Sequence, residues 1–172
     1  RNVLAADGDD PGKVRDLDPG ATWGSENFKL SPDGRTVALA VNEEGYSTLV
    51  LRDVATGRRL PGPRLPQGVL TGFRFSPDGT RIGFSLSTST SSGDAWSYDL
   101  ASAELTRWTQ SELAGLDPAG LIEPKLFRYP TFDGRQIPAF IYRPAGKSGK
   151  RPVVIQIHGG PIEKVMPMGP WI

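Results

Sequence analysis

A ten-residue pattern that occurs twice constrains the fold of this chain more than any other feature. Residues 30–39 read LSPDGRTVAL and residues 75–84 read FSPDGTRIGF, so that Ser31 and Ser76 hold the same place 45 residues apart. A repeat of about 40–50 residues is typical of a β-propeller, in which each repeat forms one four-stranded blade. The spacing therefore predicts consecutive propeller blades.

Each copy of the pattern has the composition of a strand, a turn and a second strand. In Ser-Pro-Asp-Gly, proline presets φ, the aspartate side chain caps the turn, and glycine accepts a positive φ. Alternating apolar residues follow each turn, as expected for a half-buried strand; they are Val37, Leu39 and Val41, then Ile82, Phe84 and Leu86. A second hairpin follows in both copies, which predicts blades at residues 25–65 and 69–108.

Composition and charge exclude several classes of partner. The 172 residues carry 20 Lys and Arg against 19 Asp and Glu, a net charge of +1 that gives no reason to expect nucleic acid or an anionic membrane. No apolar run is long enough to span a bilayer. The absence of cysteine excludes disulfides and thiolate metal sites, and it favours the cytoplasm without establishing it.

Four aspartates and three aromatic residues receive structural interpretations. Asp33, Asp53, Asp78 and Asp99 might suggest a carboxylate metal site, but their repeated positions are those of turn residues. We therefore expect neither a metal nor a cofactor. Trp96, Tyr98 and Trp108 are predicted to fill the space between blades.

The blade pattern stops after Trp108. Residues 109–124 show no strand alternation and predict a surface connector, although a short helix could begin at Ser111. A further blade at the same spacing would place its motif serine at position 121, which is Leu121. A propeller that only binds partners should continue with another blade, so this position argues against that alternative.

A different strand pattern begins at Lys125. Residues 126–129 and 136–142 predict two strands joined by an Asp-Gly turn, with Pro138 favouring a sheet edge. Residues 152–157 form a nearly continuous β-branched run, which is typical of a strand buried on both faces. We expect this strand to pair with residues 136–142.

Together these segments resemble the prolyl oligopeptidase family of serine peptidases, in particular its acylaminoacyl-peptidase and dipeptidyl-peptidase-like branches. The resemblance is carried by the two blades, residues 108–112, the hairpin at 129–138, and residues 153–161, which end in His-Gly-Gly-Pro. It implies a mostly β fragment in which the last blades of a propeller precede the first strands of an α/β-hydrolase domain.

The resemblance implies three parts: propeller at 1–108, linker at 109–124, and a truncated hydrolase domain at 125–172. Both ends of the chain look cut. In this family the propeller restricts access to the active site, so the implied partner is a short peptide substrate. An esterase on the same scaffold remains an alternative, because fold does not determine substrate.

No catalytic residue is expected within the chain. The family's nucleophile lies in a Gly-x-Ser-x-Gly elbow followed by Asp and His, and no such elbow occurs here. The resemblance therefore places the whole triad after Ile172, and we expect the chain alone to be inactive.

The end of the 152–157 run carries the only candidate site. The resemblance makes His158, Gly159 and Gly160 an oxyanion loop, in which a glycine N–H stabilises the developing negative charge. A plain Gly-Gly-Pro turn is the alternative, and either glycine could be the donor. His158 is expected to pack and form hydrogen bonds in this loop rather than act as a base.

The pair Glu43 and Glu44 is expected to form a solvated turn rather than a substrate amine site.

Overall fold

The computed structural model describes residues 28–144, 146 and 148–157, and this part of the chain is built mainly from antiparallel β-strands. The first sheet contains β1 (Phe28–Leu30), β2 (Thr36–Glu43), β3 (Tyr46–Asp53) and β4 (Arg59–Leu60). The second contains β5 (Gly68–Phe75), β6 (Arg81–Thr88), β7 (Ser91–Asp99) and β8 (Leu105–Arg107). Strand order follows chain order in both sheets, which is the arrangement of two propeller blades.

The Ser-Pro-Asp-Gly turns connect the first two strands of each sheet, as predicted. In the first turn the Gly34 N–H donates to the Ser31 carbonyl at 2.9 Å, and the Ser31 hydroxyl donates to Asp33 Oδ1 at 2.6 Å. The same bonds occur within residues 76–79, at 2.9 and 2.5 Å. Gly34 and Gly79 have φ values of 71° and 74°, which glycine adopts without the steric cost of a Cβ.

A shared apolar core joins the two sheets. Small residues on β2 of the first sheet, Ala38 and Ala40, face large residues of the second sheet, and all are buried. The buried members of this core are Ala38, Ala40, Leu49, Leu51, Leu70, Phe73, Ile82, Phe84, Leu86 and Tyr98. Trp96 is only partly buried against the core, whereas Trp108 is 62% exposed, so the prediction that it fills space between blades is wrong.

A separate hairpin follows the second sheet. A connector with a 3₁₀ helix at Pro118–Gly120 leads to β9 (Lys125–Pro130), which pairs with β10 (Gln136–Ile141). The predicted hairpin is therefore confirmed. Both strands are edges of a two-stranded sheet, which accommodates Pro138 opposite Arg128.

The predicted buried strand at residues 152–157 is wrong in this structure. The segment forms no strand, and Val153, Val154, Ile155 and Ile157 are 78–93% exposed. A strand buried on both faces requires neighbouring strands to pair with and a layer over each face. Among the described residues this segment has neither, so its β-branched composition alone does not produce a strand.

Candidate functional site

The predicted oxyanion loop lies outside the described residues. His158, Gly159 and Gly160 therefore remain predictions from the sequence, and the described chain reaches only to Ile157 before them. The contacts described next lie at two junctions. At one, the β9–β10 hairpin contacts the first sheet; at the other, the connector leaves the second sheet.

An ion pair fastens the hairpin to the β2–β3 turn. Asn42 Oδ1 accepts from the Gly45 N–H at 2.9 Å, and Glu44 between them has a φ of 58°. In this turn the Glu44 carboxylate pairs with the Arg128 guanidinium of β9, while Glu43 accepts from the Thr48 hydroxyl at 2.9 Å. The two glutamates form the exposed turn that the sequence predicted, and Glu44 additionally contacts the hairpin.

An aromatic contact lies beside this ion pair. The rings of Tyr46 on β3 and Phe140 on β10 meet edge to face, with their centroids 5.4 Å apart. Burial raises the pKa of the Tyr46 phenol, and the nearby Tyr142 and Glu123 raise it further. Burial likewise raises the pKa of Tyr142. Both phenols therefore stay protonated over the physiological range and remain hydrogen-bond donors.

A small cavity opens beside Tyr46, next to the β6–β7 turn and the end of the connector. Its volume is about 280 Å³, and its lining combines the Tyr46 ring and the Gln67 amide with residues 88–90 and Glu123. Hydroxyl, amide and carboxylate groups make this lining suited to polar groups. Among the described residues no group of three or more His, Cys, Asp or Glu lies close enough together to hold a metal ion.

The turn aspartates have the local role expected from the repeat. The pKa of Asp99 is lowered to about 2 by the backbone N–H of Ser102, by Arg81, and by the Ser102 side chain. The pKa of Asp78 is lowered mainly by the Ser76 hydroxyl, and that of Asp33 by the equivalent Ser31 hydroxyl. These carboxylates are ionised and accept hydrogen bonds within their own turns, and Asp99 accepts one more from Arg81 of the adjacent strand β6.

Asp94 is the fully buried carboxylate at the exit of the second sheet. It lies on β7 with 0% exposure and accepts from Arg107 Nη2 at 2.6 Å, the Thr109 hydroxyl at 3.0 Å and the Ser111 N–H at 2.7 Å. Burial opposes its ionisation, but these bonds outweigh burial and lower the pKa of Asp94. The Arg107 guanidinium also lies 5.8 Å from the centre of the Trp96 ring.

Sequence analysis did not identify Asp94 as a site residue. The available signal was an acidic residue inside a strand pattern, with Arg107 on the next strand and two hydroxyl residues, Thr109 and Ser111, directly after it. An acidic residue inside a strand is unusual enough to suggest a buried pairing.

Comparisons with known proteins show a likeness of fold to solved structures. No family model and no curated protein sequence matches the chain. Solved structures match it, including a prolyl endopeptidase at a TM-score of 0.58 and 13% identity, over 70% of this chain and 17% of that chain. Prolyl oligopeptidase B from Galerina marginata, in its apo form, matches at a TM-score of 0.53 and 17% identity, over 72% and 18% of the two chains.

A puromycin-hydrolysing peptidase from Mycobacterium tuberculosis matches at a TM-score of 0.56 and 20% identity, over 75% of this chain and 20% of that chain. The chain thus spans a fifth or less of the length of these structures. At these identities the likeness is one of fold: the described chain has the fold of part of a prolyl oligopeptidase. Among the described residues no helix is long and apolar enough to cross a membrane.

Proposed function

We propose that this chain is the propeller-to-hydrolase segment of a serine peptidase of the prolyl oligopeptidase family. Residues 1–108 are the last blades, residues 109–124 the linker, and residues 125–172 the start of the hydrolase domain. The catalytic Ser, Asp and His lie beyond Ile172 in this proposal. The segment contributes the gating propeller and the oxyanion loop.

The observation that carries the proposal is the extent of the structural match. The second sheet ends at Arg107, and residues 1–107 are 107 of 172, or 62% of the chain. The matched prolyl oligopeptidase-like structures cover 69–75% of it. The likeness therefore extends past the blades, which a likeness to propeller blades in general does not require. This extent supports a peptidase over a propeller that only binds partners.

The β9–β10 hairpin gives further support, because it follows the blades without repeating them. Among the described residues its strands pair only with each other, and it contacts the first sheet through Arg128 and Phe140. A hairpin docked on the blades, followed by an apolar β-branched segment, fits the beginning of a second domain. Within that domain, the His158–Gly160 loop would supply an N–H to the oxyanion.

The experiment compares the protein that extends beyond Ile172 with the 172-residue chain. Both are incubated with puromycin, which a matched relative hydrolyses, with chromogenic aminoacyl and short-peptide substrates, with ester substrates, and with a serine-reactive phosphonate. We expect turnover and labelling only in the longer protein, because the triad acts as a unit and the chain alone lacks a nucleophile elbow. Turnover of esters without peptides or puromycin would instead support the esterase alternative.

Substitutions within the chain test the oxyanion loop. In the longer protein Gly159→Ala and Gly160→Ala each keep the backbone N–H but add a Cβ that should hold the substrate carbonyl away from it. One of them should therefore lower kcat by up to about 100- to 1000-fold, the loss that removal of one oxyanion donor causes. Gly120→Ala, in the connector, is the control for a glycine outside the site, because Gly120 has no positive φ and an added Cβ there meets no other atom within 4 Å. Labelling of the 172-residue chain, with turnover that His158→Ala abolishes, would overturn the assignment of the triad to the downstream sequence. Unchanged kcat in both glycine variants would overturn the oxyanion assignment.

A further inference from the structure

We propose that Asp94 is a latch that holds Thr109 and Ser111, at the start of the connector, on the second sheet, so that the part of the connector that can rearrange begins after Ser111. The proposal concerns the connector itself, and it does not depend on the catalytic assignment. Asp94 lies near the start of β7, beside the point where the chain leaves the end of the neighbouring strand β8.

The bonds to Asp94 reach both the last strand and the connector. Arg107 belongs to β8, whereas Thr109 and Ser111 belong to the connector, and all three donate to the same carboxylate. Hydrogen bonds to a charged, buried acceptor are stronger than neutral ones, because little water competes for the acceptor. The carboxylate therefore makes the strand and the first connector residues one rigid piece.

Further bonds complete the latch. The Thr109 hydroxyl accepts from the Ala95 N–H at 2.9 Å, and the Thr109 carbonyl accepts from Arg107 Nε at 2.9 Å. The Ser111 hydroxyl donates to the Gly93 carbonyl at 3.2 Å. Thr109 and Ser111 are thus each held by hydrogen bonds of both the side chain and the backbone.

The residues that follow have a different character. Ala114 and Gly115 are exposed and adopt φ values of 51° and 82°, with a single short turn bond from the Leu116 N–H to the Leu113 carbonyl at 3.0 Å. A positive φ is unfavourable for alanine, so this turn is easily rearranged. The contrast between a held segment and a strained, exposed turn places the start of the rearrangeable part of the connector after Ser111.

The test measures hydrogen exchange of individual amides in the 172-residue chain. The Ser111 amide, which donates to Asp94, should exchange about 10- to 100-fold more slowly than the amides of Ala114 and Gly115. Asp94→Asn should accelerate Ser111 by a similar factor, because it removes the negative charge from the acceptor. The Leu70 amide, which donates to the Ser47 hydroxyl in the core, reports whether the blades stay folded.

Asp99→Asn is the matched control, because Asp99 lies at the opposite end of the same strand and accepts only within its own turn and from Arg81. It should leave Ser111 exchange unchanged. If Asp94→Asn also accelerates Leu70, Thr109→Val decides the matter, since it removes one donor and keeps the side-chain shape. Equal exchange at Ser111 and Gly115 in the native chain, or unchanged Ser111 exchange in Thr109→Val with an intact core, overturns the latch.

Discussion

The two sheets carry the same repeat but differ in how their faces are used. In the first sheet, Ala38 and Ala40 of β2 are fully buried against the second sheet, while the opposite face of β2 lies in a second apolar cluster. In the second sheet, the positions 45 residues later are Gly83 and Ser85, and both are exposed. The first sheet is therefore buried on both faces and the second on one.

The difference shows which features belong to a blade and which belong to its neighbour. In both repeats, one face of the second strand carries large apolar side chains, such as Leu39 on β2 and Phe84 on β6. The other face needs small residues only where large side chains of a following sheet pack against it, as they do at Ala40. Among the described residues no sheet covers Ser85, and a polar residue is tolerated there.

The largest expected effect follows from truncating Phe84, a large side chain of the second sheet that packs in the core shared with the first sheet. Phe84 lies in the shared core with 5% exposure. Phe84→Ala should lower the free energy of unfolding by about 3–5 kcal/mol, because it loses apolar burial and leaves a cavity. Urea unfolding measures the change. Ser85→Ala, the next residue on the uncovered face, is the control and should change stability by less than about 0.5 kcal/mol. A loss below that of the control would show that the two sheets do not share a core.

A smaller effect should separate the two equivalent faces directly. Ala40→Leu adds volume where Ala40 has 0% exposure, and it should destabilise the chain by about 1–3 kcal/mol through overpacking. Ser85→Leu makes the same side chain at the equivalent, exposed position of the second sheet, and it should change stability by less than about 0.5 kcal/mol. Equal losses in the two variants would mean that the outer face of the second sheet is also packed, and the comparison would fail.

The smallest effect concerns a turn that differs between the sheets. Asp99 pairs with Arg81 at 3.1 Å in the second sheet, and its pKa falls from 3.8 to about 2 on folding. A lowered pKa stabilises the folded chain above the unfolded value of 3.8, and this contribution is lost as the pH falls toward about 2. Unfolding followed from about pH 5 to about pH 2 should show a weaker pH dependence in Asp99→Asn than in the native chain. Parallel curves for the two proteins would contradict the assignment.

Much of the fold was predictable from sequence, because the decisive interactions are local. The residues Ser31–Gly34 specify their turn through bonds within the turn itself, and Asp133–Gly134 likewise specifies the β9–β10 turn. The run at 152–157 was not predictable in this way, since a strand also needs a partner that its own composition does not provide. Trp108 was misjudged for a related reason: its indole N–H bonds to Ser97 on a face that no described sheet covers.

The sequence by itself determined two consecutive blades, their turns and the large apolar face of each, because a 45-residue repeat with alternating residues encodes local geometry and one burial direction. Only the tertiary structure decided that Asp94 joins Arg107, Thr109 and Ser111, and that Glu44 meets Arg128. These contacts depend on where separate strands and the hairpin are brought together in space. The partner of a charged residue depends on that placement, and the local sequence around the residue does not specify it.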